Sequence, residues 1–196
     1  MFLPFSQRGK IWEPKALELR RLAPVGVNGL IDPWGLAPKV NLLMVAADEK
    51  LLGSLDDEYR LHLLGAGGKM WSGGVLPITL PDGNRICILN PTDSVGRRKS
   101  TLMEEIAHVH LKHKPTKLVF DKGGVKFRDF NEAQEKEAFG VGAAALLPWH
   151  SFFHEINDGC TCAEIAKKYE VTDDLVRYRI QITGAFRLYK ARQRAA

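Results

Sequence analysis

No apolar run in this chain approaches the roughly 18 to 20 residues that a membrane-spanning helix needs, so a membrane protein is not expected. The start, Met1-Phe2-Leu3-Pro4-Phe5-Ser6-Gln7-Arg8, lacks the basic opening, long apolar stretch and small-residue cleavage site of an export signal. Cysteine is scarce. Cys87, Cys160 and Cys162 cannot all pair with one another, which points to reduced thiols in a cytoplasmic protein. Cys160 and Cys162 stand too close for a C-x-x-C redox or zinc pair, and a structural or incidental role is expected for them. Internal repeats and low-complexity segments are missing. Acidic residues are missing from one end: none follows Asp174, while Arg177, Arg179, Arg187, Lys190, Arg192 and Arg194 do. Such a basic tail can meet nucleic acid or an acidic protein surface, although a solvated helix face is the simpler account.

What is present is the composition of a globular protein. Hydrophobic residues make up 45% and charged residues 26% of 196, with a net charge of +5 and a pI near 9.1. These values fit one domain, or one domain with a small appendage. Pro14 begins a short helix expected over residues 14–22, and Asp32 before Pro33 reads as a capped helix start. Residues 40–46 read as a strand and 55–64 as a helix. Residues 70–80, interrupted by Gly73-Gly74, and 85–90 read as two strands, with Pro81-Asp82-Gly83-Asn84 as their hairpin turn. A long helix is expected over residues 95–113, stopped by Lys114-Pro115. Residues 117–120 form a short strand before a turn at Asp121-Lys122-Gly123-Gly124. Further helices are expected over residues 131–147 and 149–157, and the chain is helical in character from Thr161 onward. The order is α+β: a small antiparallel sheet among helices, then a helical C-terminal segment.

Within the long helix, Glu104-Glu105-Ile106-Ala107-His108 has the frame H-E-x-x-H with glutamate in place of the first histidine. Ligands four residues apart lie on one helix face and can share a metal. The residue after the first ligand can then act as general base toward a metal-bound water. The substitution leaves three outcomes open: an active peptidase, a metalloprotein with altered ligands, or an inactive copy. A third ligand must come from elsewhere. On the helix 131–147 the apolar stripe reads Ala138, Phe139, Gly142, Ala145 and Leu146, and Glu135 falls on that stripe. A carboxylate on a buried stripe is costly unless it meets a cation or metal. Glu135 is therefore the favoured third ligand and Glu132 the reserve, while Glu137 is expected to point elsewhere, toward Val141 and Ala144. The small side chains of residues 140–145 permit the close helix approach that a two-helix metal site requires.

The chain resembles the ImmA/IrrE family of bacterial metallopeptidases at these residues. The family carries H-E-x-x-H on one helix and a pattern like E-x-x-A-x-x-x-A-A-x-x-L-x-P on the next. The second pattern stands here as Glu135-Lys136-Glu137-Ala138-Phe139-Gly140-Val141-Gly142-Ala143-Ala144-Ala145-Leu146-Leu147-Pro148. The resemblance spans roughly residues 30 to 185. It implies a zincin-like core over residues 31–157, preceded by an extension over 1–30 and followed by a helix-turn-helix-like tail over 158–196. Carried over by position, Glu105 is the base, His108 a ligand and Glu135 the third ligand, with Glu104 where the first histidine stands. The resemblance also implies cleavage of a helix-turn-helix repressor in the cytoplasm.

A set of Glu104, His108 and Glu135 would nearly neutralise a divalent ion and acidify its water less than a histidine-rich set. Zinc is the first expectation for the metal, with manganese or iron as alternatives favoured by the oxygen donors. His113 is expected at the helix C-terminus for dipole reasons, His110 faces away from His108, and His150 with His154 reads as a surface pair. In the tail, Thr172-Asp173-Asp174 would cap a second helix with acidic residues that repel phosphate. A protein partner is therefore favoured over DNA. Two further functions remain as alternatives: an inactive homologue that binds a protein partner, and a DNA-binding protein acting through the basic tail.

Overall fold

Ser6 opens the first helix by accepting the Gly9 N–H at 2.9 Å, and α1 (Gln7–Arg20) follows. It starts earlier than expected, because Pro14 lies inside it on the exposed side, where the carbonyl that Pro14 leaves without a donor can meet water. The computed structural model describes residues 3–26, 29–46, 71–114, 118–121, 124–128 and 131–195. The helix expected over 55–64 lies outside the described residues. Asp32 caps α2 (Pro33–Leu36) through the N–H groups of Trp34 and Gly35, and a 3-10 turn, Ala37–Val40, leads into β1 (Leu42–Ala46).

β2 (Gly73–Thr79) and β3 (Arg85–Leu89) form the expected antiparallel hairpin, with Gly83 at φ +84° in its turn. Gly73-Gly74 begin β2 rather than interrupt it. A Cβ on Gly73 would come within 2.8 Å of the Ile88 carbonyl oxygen. β1 adds in parallel to β3, from Leu42 beside Arg85 to Ala46 beside Leu89, so the three-stranded sheet is mixed and ordered β1-β3-β2. The motif helix α3 (Val95–His110) packs against β2 and β3 of this sheet. Its N-cap is Ser94, and its buried face is Leu102, Met103, Ile106 and Ala107, all 0% exposed. A second hairpin, β4 (Leu118–Asp121) with β5 (Gly124–Arg128), precedes α4 (Glu132–Leu146).

α4 packs along α3 and under α1 because its middle is built of small residues. A Cβ on Gly140 would lie 2.1 Å from the Trp12 ring of α1, and one on Gly142 would lie 3.1 Å from the Met103 carbonyl. α5 (Trp149–Asn157) follows Pro148 directly, as expected from the sequence. Then come α6 (Cys162–Tyr169), opened by a Thr161–Glu164 capping box, and α7 (Asp173–Thr183), capped by Thr172. Gly184 at φ +75° ends α7, and α8 (Phe186–Ala195) closes the described chain. Ile165, Ala166, Val171 and Val176 are buried between α6 and α7, which is the packing expected of the helix pair. Among the described residues no helix is long and apolar enough to cross a membrane.

Candidate metal centre

Two capping events position the candidate ligands. Ser94 sets the start of α3, which places Glu104 and His108 one turn apart on the side away from the buried apolar face. Asn131 accepts the N–H groups of Ala133 and Gln134 at 3.1 and 3.2 Å, which fixes the first turn of α4 and with it Glu135. The glycine at position 142 lets the two helices approach at the level of Met103 and Glu104. One ligand atom each from Glu104, His108 and Glu135 then falls within 4.8 Å of the other two. His108 Nε2 stands 3.5 Å from Glu135 Oε2. All three side chains are half-buried.

The electrostatics of this cluster are those of crowded carboxylates. Burial first, and then the charges of Glu105 and Glu135, push the Glu104 carboxyl up to about 8, against a smaller opposing effect of Arg97. Glu105 also acts on the sheet, since burial and then its charge push the Cys87 thiol up to about 12. Carboxylates crowded in this way favour either a proton or a cation. Two carboxylate oxygens and one imidazole nitrogen are donors that divalent zinc, manganese or iron accept, so the residues present fit such an ion.

A pH dependence follows for the protein kept in chelator. The folded state holds the Glu104 proton more tightly than the unfolded chain does. Its contribution to stability is therefore fully present below about pH 4.5 and is lost as pH rises through about 8. Thermal denaturation is expected to show a Tm that falls across this window, and Glu104→Gln should remove most of the slope. An unchanged slope in that variant counts against the assignment.

The reserve candidate, Glu132, does not join the cluster. It is exposed and paired with Lys136 one turn along α4, and that hydrogen bond holds its carboxyl below the usual range. Glu137 does not join the cluster either; it meets Lys15 of α1 and the His113 ring, 3.2 Å from His113 Nε2. The Lys15 hydrogen bond is the main cause that keeps its carboxyl low; burial opposes this, and the His113 hydrogen bond adds to it. His113 is not in the helix. α3 ends at His110, and Lys112 turns left-handed at φ +56°. The Lys112 N–H then bonds the Val109 carbonyl and the His113 N–H bonds the His108 carbonyl. This is a Schellman closure, in which the residue after the left-handed position folds back onto the helix. Here that contact is His113 against His108, with Nδ1 to Nδ1 at 3.1 Å. Five residues apart on a continuous helix the two rings would not meet, so spacing alone gave no signal for it.

His110 lies on the α1 side, where burial lowers its basicity and Glu18 partly restores it. His150 and His154 are exposed with ring centroids 4.8 Å apart, and among the described residues they belong to no three-residue cluster. All three cysteines are free. Cys162 hydrogen-bonds the Tyr189 hydroxyl of α8 through its N–H and thiol, in keeping with a structural role. In the tail, Arg179 is fully buried against Glu13, while Asp173 and Asp174 are exposed at the start of α7.

A search of the curated proteins returned no match. The profile of the IrrE N-terminal-like domain, a peptidase family, matches residues 71–181, more than half of the chain, from just before β2 to the last turn of α7. That span contains the E-E-x-x-H helix and the Glu135 helix whose side chains converge. By this match the chain belongs to the IrrE N-terminal-like peptidase family, and its function is of the metallopeptidase type.

Proposed function

We propose that this protein is a metal-dependent endopeptidase in which Glu104, His108 and Glu135 hold one divalent cation and Glu105 is the general base. The observation that carries it is the convergence of the three ligand atoms within 4.8 Å, from two helices that no local sequence constraint brings together. A bound divalent ion supplies Lewis-acid polarisation of the scissile carbonyl and acidifies water. Glu105, adjacent to Glu104 and half-buried, takes the proton from the attacking water and delivers it to the leaving amine. Zinc is the proposed ion. With Glu104 in place of a histidine the site is closer to neutral, which weakens water acidification and makes manganese or iron competent substitutes.

The proposed substrate is a regulatory DNA-binding protein of the helix-turn-helix class, met in the cytoplasm, as the family resemblance implies. The tail supports a protein-facing role. Arg179 is engaged with Glu13 inside the core, and the exposed acidic pair Asp173-Asp174 occupies the helix end that would approach phosphate. The test is metal analysis of the purified protein after zinc loading and gel filtration. About one zinc per chain is expected in the parent and a large loss in both Glu104→Ala and Glu135→Ala. Equal metal content in all three would remove this site from consideration.

A further inference from the structure

We infer that His113 is a positioning residue for the candidate metal site: carried by the turn that closes α3 and held by Glu137, it fixes the proton of His108 on Nδ1 and turns the His108 Nε2 lone pair toward Glu104 and Glu135. The inference rests on the reading of His108 as a ligand and extends it to three residues outside the motif.

The geometry is a chain of contacts. Lys15 of α1 pairs with Glu137 of α4. Glu137 Oε2 lies 3.2 Å from His113 Nε2, and His113 Nδ1 lies 3.1 Å from His108 Nδ1. Glu135 Oε2 lies 3.5 Å from His108 Nε2 at the far end. A carboxylate accepts hydrogen bonds and donates none, so Glu137 requires the His113 proton on Nε2. Where His113 carries its only ring proton on Nε2, its Nδ1 offers a lone pair, and the 3.1 Å contact then has the His108 Nδ1–H as its donor, which leaves His108 Nε2 for a cation held with Glu135. Each hydrogen bond dictates the direction of the next. The outcome at the end of the chain is the form of imidazole that binds a metal through Nε2.

The surroundings hold this arrangement in place. The His113 side chain is only 7% exposed, and its backbone N–H is tied to the His108 carbonyl at 3.0 Å. The closure fixes where the His113 backbone lies, and its burial leaves the ring little room to turn away. Lys112 takes the left-handed conformation needed there, at φ +56°. Glu137 is anchored from the opposite side by α1. The N-terminal helix thus reaches the candidate ligand His108 through the Lys15–Glu137 ion pair and the His113 imidazole.

The experiment uses the full chain labelled with 15N-histidine, kept in chelator at pH 7.5, with long-range proton–nitrogen spectra assigned by single-histidine variants. His108 is expected in the Nδ1–H form in the parent and in the Nε2–H form, the commoner one in water, in His113→Phe. Zinc affinity, measured by competition with a chromophoric chelator, is expected to fall about 10- to 100-fold in His113→Phe. Glu137→Gln should weaken it less, because its amide oxygen can still accept. If His113→Phe does not fold, Glu137→Leu breaks the same relay from its exposed end and is read the same way. A parent His108 protonated on Nε2 overturns the inference, and so does zinc affinity unchanged in His113→Phe and Glu137→Leu. If the parent and His108→Ala bind zinc equally weakly, the metal reading fails, and the tautomer spectrum still decides the role of His113.

Discussion

Glu105→Gln is expected to lower peptide cleavage by about 10²- to 10⁴-fold while leaving the zinc content of the protein at the parent level. Glutamine keeps the length and shape of the side chain and removes its ability to accept a proton from water. Glu105 is not one of the three converging donors, so the ligand set is intact in the variant. Its charge is nevertheless felt by its neighbours, being the second cause of the raised Glu104 carboxyl and of the raised Cys87 thiol. Neutralising it should bring both groups down, which makes Glu104 easier to ionise and metal uptake at least as favourable. The combination of lost turnover, retained metal and a lower Glu104 pKa separates a general base from a ligand and from a purely structural glutamate. Cleavage of candidate repressors and of an unfolded reporter polypeptide can be followed on gels alongside metal analysis. Turnover within a factor of a few of the parent would assign proton transfer to another group.

The largest expected effect on stability is at Glu13→Ala, at about 3–5 kcal/mol. Glu13 and Arg179 form an ion pair at 2.9 Å with Arg179 0% and Glu13 3% exposed at their side chains. Arg179 also donates to the Leu147 carbonyl at 2.9 Å and lies 5.8 Å from the Phe152 ring centroid. Glu13 accepts the Trp149 N–H at the start of α5, where Pro148 offers no side-chain cap. Alanine at position 13 leaves a guanidinium buried with one carbonyl and leaves the start of α5 without its acceptor. For a chain of this size each kcal/mol corresponds to roughly 2–4 °C, so a Tm lower by about 10 °C is expected by calorimetry. Glu13→Leu combined with Arg179→Met should recover much of the loss, because two apolar side chains remove the unpaired charge. A Glu13→Ala protein that melts within about 2 °C of the parent would contradict this account.

The same ion pair belongs to the frame of the candidate site. It clamps α1 and α7 across the end of α4, and the Lys15 to Glu137 contact and the seating of Trp12 over Gly140 both depend on where α1 lies. Some coupling between Glu13 and zinc affinity is therefore an expected secondary effect.

The local elements were readable in advance where a residue type enforces a conformation. Asp32 before Pro33, the turn Pro81 to Asn84, Pro148 between two helices and Thr172 before α7 each act within a few residues and appear where expected. Pro14 misled because an exposed interior proline is tolerated once tertiary packing supports the helix around it. The end of α3 misled because a lysine, with no intrinsic preference for it, takes the left-handed position.

The candidate ligands follow the same division. Glu104, Glu105 and His108 share a helix with a fixed period of 3.6 residues, and Glu135 lies on the apolar stripe of the next helix, so sequence periodicity was enough to select them. The positions of Glu137, His113 and Lys15 were decided by the way α1, α3 and α4 pack, and the Glu13–Arg179 pair joins residues 166 positions apart. Periodicity reports which face a side chain occupies, whereas the partner on that face depends on close approach at Gly140 and Gly142 and on a left-handed turn at Lys112. The family and the ligand frame are therefore properties of the linear chain. The orientation of the one histidine in that frame is a property of the packed molecule, because it depends on hydrogen bonds passed between three helices.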